Sequence, residues 1–149
     1  MKAEDRAVTD DADLEAILPV LDAQCEDYKA LCREGQRQRD CLRSDDMQGM
    51  NEATRSMRVL MNRIQLRQAQ LPPDLAGIAQ RRPAVAERTA ALRQFVHRVL
   101  QVRDESERAA RELLEATRHQ LHQFDAGRRA ARGYQRVVPR QPRFVDGSR

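Results

Sequence analysis

Residues 14–32 read LEAILPVLDAQCEDYKALC, and this stretch decides the fold class. Its apolar side chains recur at alternating spacings of four and three residues, at Leu14, Leu18, Leu21, Cys25, Tyr28 and Cys32. This is the spacing of a coiled-coil seam, in which one stripe of an α-helix packs against a neighbouring helix. The stretch therefore predicts a long amphipathic helix with at least one helical partner.

The ends of this first helix are predicted near residues 12 and 43. The acidic cluster Asp10, Asp11 and Asp13 is expected to cap its start, and Pro19 is expected to cause a kink or a late start, because proline lacks a backbone donor. The sequence RSDD at residues 43–46 predicts the break that follows, since Ser and Asp cap helices well.

A second helix is predicted over residues 46–71, where Pro72 and Pro73 stop it. Four of the five methionines, Met47, Met50, Met57 and Met61, fall in this helix. Methionine is flexible and polarizable, so this face suits either an irregular core or an adaptable binding surface. The connector that follows, PPDLAGIAQRRP, has room for a short helical turn at residues 74–79.

A third helix is predicted over residues 83–131, with Pro83 in its first turn. Its apolar face begins at Val85, is interrupted at Arg103 and Ser106, and resumes through Leu113. At about 70 Å it is expected to be about twice as long as either partner helix, so part of its stripe is expected to lie beyond them.

The predicted fold is thus all-α: an elongated antiparallel helical hairpin or three-helix coiled-coil bundle with a long third helix. One helical domain is expected over residues 1–131 and a flexible basic tail over 132–149. The composition agrees, because 40% of the 149 residues are hydrophobic and 34% are charged, with 3% aromatic and no Trp. Such a composition is typical of long helices.

The charge is distributed unevenly along the chain. Residues 128–149 hold seven arginines and one acid, a net charge of +6, which leaves −2 for residues 1–127 from the total of +4. Nucleic-acid binding by this tail, with Tyr134 and Phe144 stacking on bases, is one reading. Against it, the arginines are dispersed, and only two of the 27 basic residues in the chain are lysines. We therefore expect no nucleic-acid partner.

No motif in the sequence indicates catalysis. His119 and His122 share a helix face, but a zinc site needs three or four ligands, so we expect no metal and no cofactor. Cys25 and Cys32 lie on the seam, where a thiol packs as a small hydrophobe. Because no catalytic motif occurs, we expect a protein that is not an enzyme. The sequence also lacks an apolar run long enough to span a bilayer and an apolar N-terminal leader, so we expect it to be cytoplasmic.

Three stretches together carry a resemblance to a known family. They are LEAILPVLDAQCEDYKAL, then CLRSDDMQGMNEATRSMRVLMNRIQLR after a short polar break, and finally GYQRVVPRQPRFVD after the long third helix. In this order they resemble the flagellar export chaperones of the FlgN type, from about Leu14 to Asp146. The resemblance implies a non-catalytic cytoplasmic chaperone that binds the C-terminal amphipathic segments of hook-filament junction proteins and delivers them to the type III export gate.

Within this resemblance, the uncovered part of the third helix is the expected client site. A client helix would lie along its stripe by helix-in-groove recognition. The residues expected to bind the client are Leu113, Leu114, Leu121 and Phe124. Since the C-terminal region is the working end in the family, Tyr134 and Phe144 are expected to contact the client or the export gate.

Other readings of the sequence stay open at this point. A structural coiled-coil protein would dimerise through the seam that begins at Leu14, whereas a chaperone should be monomeric or weakly dimeric. An export chaperone for a different flagellar client, such as the filament cap or the filament subunit, would share the same composition. The composition of the tail is consistent with either a disordered basic segment or a docking element.

Overall fold

The computed structural model describes the backbone of residues 4–135 and the side chains of residues 14–134. Within these ranges the chain forms four helices and no strand: α1 (Glu4–Arg43), α2 (Met47–Gln68), α3 (Leu75–Arg81) and α4 (Pro83–Gln135). The predicted all-α class is therefore confirmed. None of these helices is both long enough and apolar enough to cross a bilayer.

Contacts between side chains show that α1 and α2 run antiparallel. Gln24 donates a hydrogen bond to Gln68 at 2.9 Å, whereas farther along α1 Arg37 pairs with Glu52 at 2.7 Å. The partner number falls as the α1 number rises, which defines a helical hairpin. The turn of this hairpin is the predicted RSDD segment.

The residue numbers of contacting partners also show that α1 and α4 run parallel. The thiol of Cys25 approaches the Arg88 carbonyl oxygen at 4.0 Å, and that of Cys32 approaches the Phe95 carbonyl oxygen at 3.9 Å. Both pairs are separated by 63 residues, so the partners advance together. The α1 helix thus packs against both α2 and α4, as in the predicted three-helix bundle.

The turn between α1 and α2 follows from local chemistry. The Asp46 side chain caps α2 by accepting a hydrogen bond from the Gly49 amide at 2.9 Å. Just before it, Asp45 adopts φ = 57°, a left-handed conformation that Asp tolerates better than most residues. The prediction of a break and cap at residues 43–46 is confirmed.

Prolines mark the remaining helix ends. The α2 helix ends at Gln68, shortly before Pro72 and Pro73, and α4 starts at Pro83. Between them the predicted short turn is the seven-residue helix α3. These boundaries agree with the predictions to within a few residues, because proline restricts both itself and the residue before it.

The start of α1 differs from the prediction. The helix begins at Glu4 and passes through Pro19 without a break, so a late start is wrong. The cluster at Asp10–Asp13 consequently lies inside the helix, and its predicted role as the N-cap is also wrong. Pro19 is exposed, so the carbonyl that its missing N–H leaves unbonded can be hydrated.

Two clusters of apolar side chains form the core. In the first, the buried residues are Ile17, Leu21 and Val85, packed by Leu14, Leu18, Leu71, Leu75, Ile78, Ala79 and Leu92. In the second, the buried residues are Leu31, Leu60 and Ile64, packed by Tyr28, Ala30, Met57 and Val99. Residues of α1 and α4 contribute to both clusters, whereas α3 and the segment before it complete the first cluster and α2 completes the second.

The α1 helix carries two adjacent buried stripes. The predicted seam supplies Cys25 and Cys32, which face α4. A second heptad-spaced stripe of Ile17, Gln24 and Leu31 is also buried and contacts α2 and the segment after it. The seam is therefore covered by helices of the same chain, and dimerisation through it would require this packing to open.

Ion pairs join α1 to both neighbours. Asp27 is only 3% exposed and pairs with Arg63 and with Arg67, whose Nε lies 3.1 Å from its carboxylate. On the other side Asp22 accepts from Arg88 at 2.8 Å. These pairs connect α1 to α2 on one side and to α4 on the other.

The chain divides into two compact units, Met1–Leu113 and Leu114–Arg149. The first contains the three-helix packing and the whole of the core described above. The second, as far as it is described, is helical to Gln135. Residues 132–135, predicted as tail, are therefore helical, and one helical domain over residues 1–131 stays a prediction.

Candidate functional site

Three of the four residues predicted to bind a client are exposed. Leu114, Leu121 and Phe124 are 50%, 61% and 64% exposed, and we call them the exposed stripe. Leu113 is half-buried and belongs to the first unit. The structure thus separates Leu113 from the other three.

The exposed stripe occupies one face of α4. Leu121 lies seven residues after Leu114, and Phe124 lies three residues after Leu121. These spacings place the three side chains on neighbouring turns of one face. Arg128 follows four residues after Phe124 on the same face, so the apolar stripe ends in a positive charge. Every side chain from residue 114 to 134 is exposed. The arrangement presents a narrow apolar surface to a binding partner.

The other predicted contact residues lie near and past the end of α4. Tyr134 is in the last described turn and is 82% exposed. Phe144 lies outside the described residues, as does most of the predicted basic tail. An exposed Tyr offers an apolar ring with a hydrogen-bonding tip, which suits an interface.

The histidines of the second unit are surface residues. His119 and His122 are both exposed, and a ring nitrogen of His119 lies 3.0 Å from the Gln123 side-chain nitrogen. No group of three or more His, Cys, Asp or Glu side chains that could hold a metal occurs in the described part of the chain. Among the described residues, His119 and His122 therefore have no third side chain beside them with which to bind a metal ion.

The three cysteines are buried and free. Burial is the main cause that raises the pKa of each thiol above its ordinary value, and for Cys41 the nearby Asp46 carboxylate adds to it. A thiol with a raised pKa is a poor nucleophile at neutral pH. Cys25 and Cys32 behave structurally as predicted for seam residues.

The methionines of α2 divide between core and surface. Met57 packs against the second core cluster, Met50 is half-buried, and Met47 and Met61 are 51% and 45% exposed. Both interpretations of this face, core filling and an exposed adaptable surface, therefore apply to different residues.

Met57 and Met61 also line a cavity of about 340 Å³, together with Val99 and Leu100 of α4. This cavity was not predicted from the sequence. The methionine-rich face of α2 was the feature of the sequence that could have indicated it. The apolar residues of α4 were expected to be covered wherever α2 runs beside them.

Models of known families, curated proteins and solved structures were each compared with this chain, and none of the three comparisons found a match.

Proposed function

We propose that this chain is a cytoplasmic export chaperone of the FlgN type, with no catalytic role. In this proposal it binds the C-terminal amphipathic helices of hook-filament junction proteins, prevents their premature assembly, and delivers them to the type III export gate. The order of three sequence stretches, ending in GYQRVVPRQPRFVD, supports the family. The helical hairpin with a long last helix agrees with that order.

The exposed stripe is the observation on which the proposal depends. Leu114, Leu121 and Phe124 leave half or more of their side chains in water. Large apolar side chains aligned on one helix face favour binding to the apolar stripe of another helix. The amphipathic helix of a junction protein has such an apolar stripe, which must stay covered before assembly, and it could therefore bind to the exposed stripe.

The size of the stripe suits a releasable complex. Covering the exposed half of one Leu or Phe side chain contributes about 1 kcal/mol, and therefore three such residues contribute only about 3 kcal/mol before the costs of association. Further contacts, with Tyr134 among the candidates, would be needed for micromolar affinity. Modest affinity allows the export gate to take the client.

The test is calorimetric titration of the full chain with synthetic C-terminal helices of the hook-filament junction proteins, at low and high salt. One-to-one binding at micromolar affinity or better, with little dependence on salt, is expected. The double variant Leu114→Asp/Leu121→Asp should abolish binding while circular dichroism shows largely unchanged helix content.

A charge-matched control is available on the opposite face of the same helix. Ala116 and Gln123 lie about half a turn from Leu114 and Leu121, so Ala116→Asp/Gln123→Asp adds the same charge without replacing a residue of the stripe. Binding should survive in this control. Retained affinity in the Leu114→Asp/Leu121→Asp variant, or no heat with any junction-protein helix, would contradict the proposal.

A further inference from the structure

The exposed stripe belongs to a longer seam along residues 114–131 of α4. Exposed side chains recur there at alternating spacings of three and four residues, at Leu114, Thr117, Leu121, Phe124, Arg128 and Ala131. This is the spacing at which two α-helices pack side by side. We call these six residues the α4 seam. All described side chains of the second unit, residues 114–134, are exposed, so the α4 seam is open to a partner helix.

Two opposite charges border the α4 seam on the same side. Arg118 directly follows Thr117, and Asp125 directly follows Phe124, so both flank the seam at equivalent positions. They lie seven residues apart, about 10 Å along the helix, which is too far for them to pair with each other. Both are exposed, and among residues 14–134 neither forms an ion pair. A second helix beside this border could pair with both charges.

A second copy of the same segment has the complementary pattern when it runs antiparallel. With the two helices related by a two-fold axis, every contact between the copies occurs twice. In the register that centres the apolar residues, Leu114 faces Ala131, Thr117 faces Arg128, and Leu121 faces Phe124. The large side chains of both copies then meet at the centre. At the ends, the arginine can pack its apolar stem while its guanidinium reaches water.

The charges fix this register. In it, Arg118 of each copy faces Asp125 of the other, which gives two ion pairs across the interface. The same symmetry brings together Glu115 and Arg129, on the outer side of these pairs. A shift by one heptad in either direction instead places Arg118 against Arg118 or Asp125 against Asp125. Only the centred register therefore pairs opposite charges at both positions.

A parallel pair lacks these contacts. In register, it would place Arg128 of one copy against Arg128 of the other in the seam itself. Each charged border would then meet the opposite border of the other copy, where Gln120, Gly127 and Tyr134 carry no charge. Like charges thus oppose the parallel arrangement, and opposite charges favour the antiparallel one.

We propose that a second copy of this chain covers the α4 seam, through antiparallel pairing of the two 114–135 segments. The interface is small, because each copy contributes three large apolar side chains, fewer than an obligate dimer buries. We therefore expect a reversible dimer with a dissociation constant of about 100 μM. The inference does not rest on the proposed function. A client and a second copy would exclude each other from the exposed stripe, but self-association is measured on the chain alone.

Sedimentation equilibrium of the full chain measures this self-association. From about 10 μM to about 1 mM, the mean mass should rise from that of a monomer towards that of a dimer. Leu121→Asp, which places a carboxylate of each copy at the centre of the interface, should keep the chain monomeric. The control His119→Glu/Ala126→Glu adds negative charge on the face of the helix away from the α4 seam. It should leave the dissociation constant unchanged.

A charge swap tests the register. Arg118→Glu alone, or Asp125→Arg alone, turns both ion pairs into repulsive pairs and should raise the dissociation constant about tenfold. The double variant Arg118→Glu/Asp125→Arg restores opposite charges across the two-fold axis, so it should recover most of the affinity. Both residues are exposed and lie outside the core clusters, so none of these changes should prevent folding.

Disulfide formation tests the orientation. The variants Thr117→Cys and Arg128→Cys are mixed and oxidised gently, while the three natural cysteines remain buried. In the antiparallel register the two new thiols face each other, whereas each lies about 16 Å along the helix from its own counterpart. The mixed disulfide should therefore form faster than either homodimeric one, and intact mass distinguishes the three products.

Several results would overturn the inference. One is a chain that stays monomeric at about 1 mM. Another is a dimer that persists in Leu121→Asp, because its interface would then lie elsewhere. A double charge variant that dimerises as weakly as the single variants would exclude the register, and homodimeric disulfides that form as fast as the mixed one would exclude the antiparallel orientation.

Discussion

At the scale of single residues, close approach at one glycine decides how tightly α1 and α4 pack. Gly35 is buried, and a β-carbon added there would lie 2.7 Å from Cγ1 of Val102, which is itself 2% exposed. Its carbonyl also accepts a hydrogen bond from the buried Ser106 hydroxyl at 3.4 Å. The weakening of the seam at Gly35 thus marks a close contact between helices.

Gly35→Ala should therefore destabilise the chain. A gain in helix propensity of about 1 kcal/mol is outweighed by the clash with Val102, for a net loss of about 1–2 kcal/mol. Gly127→Ala is the matched control, because its β-carbon would meet nothing within 4 Å. Thermal unfolding followed at 222 nm should show a lower Tm only for Gly35→Ala, and an equal or higher Tm there would contradict the packing argument.

The buried carboxylate of Asp27 leads to a second prediction. Asp27→Ala removes the ion-pair partner of Arg63 and Arg67, and because the carboxylate is buried while the arginines are partly exposed, we expect a loss of about 2 kcal/mol, between the values for exposed and for buried pairs. Asp104→Ala, which removes an exposed pair with Arg103, should change stability little. Urea unfolding of both variants measures the difference, and equal midpoints would show that the Asp27 pair contributes nothing.

At the scale of whole elements, the two stripes of α1 explain why this helix organises the bundle. One stripe brings two thiols against the backbone of α4, and the other meets α2. Burial raises the pKa of Cys25 and Cys32. Their ionisation is therefore coupled to the packing of α1 against α4.

Stability should consequently fall at alkaline pH. In the unfolded chain these thiols ionise near their ordinary pKa, whereas in the folded chain they hold their protons to higher pH. Their contribution is complete below the unfolded pKa and is lost as pH rises towards the folded value, by up to about 1 kcal/mol per thiol near pH 9.5.

Urea unfolding at pH 7.5 and pH 9.5 tests this dependence. The variant Cys25→Val/Cys32→Val should lose less stability between the two values than the natural chain, whatever its stability at pH 7.5. Part of the dependence should remain, because burial also raises the pKa of Cys41 and of Tyr28, which the variant keeps. An identical loss in both proteins would show that these thiols do not carry the effect.

At the scale of the whole molecule, all the apolar burial seen among the described side chains, residues 14–134, lies in the first unit. Both core clusters lie before Leu113, and every described side chain after it is exposed. The described part of the second unit, residues 114–135, is therefore helical but has none of its described side chains buried. Helices without tertiary packing open readily in water.

Limited trypsin digestion should therefore cut the second unit first. The earliest cleavages are expected after Arg118, Arg128 and Arg129, which leaves a fragment that retains both core clusters. Mass spectrometry of timed samples identifies the sites. First cuts between residues 55 and 103 would contradict this order, and protection of Arg118 by a bound junction-protein helix would support the exposed stripe as its site.

The sequence by itself determined where helices form and end. Heptad spacing from Leu14 predicts α1, the RSDD turn separates it from α2, and Pro72 and Pro83 bound the connector. These features depend on local chemistry: the periodicity of apolar side chains, backbone donors that need caps, and the restricted φ of proline. The start of α1 was predicted too late in the chain, because Pro19 and the acidic cluster Asp10–Asp13 suggested that the helix begins near residue 12, whereas it begins at Glu4.

Only the tertiary structure decided which apolar stripe is covered. The stripe of α4 has similar spacing around Val99 and around Leu121, yet the first packs against the core and the second is exposed. The cavity lined by Met57 and Leu100 and the close contact at Gly35 likewise require two or more helices together. Periodicity states that a face needs a partner, whereas the identity of that partner depends on chain direction and on residues more than 60 positions away.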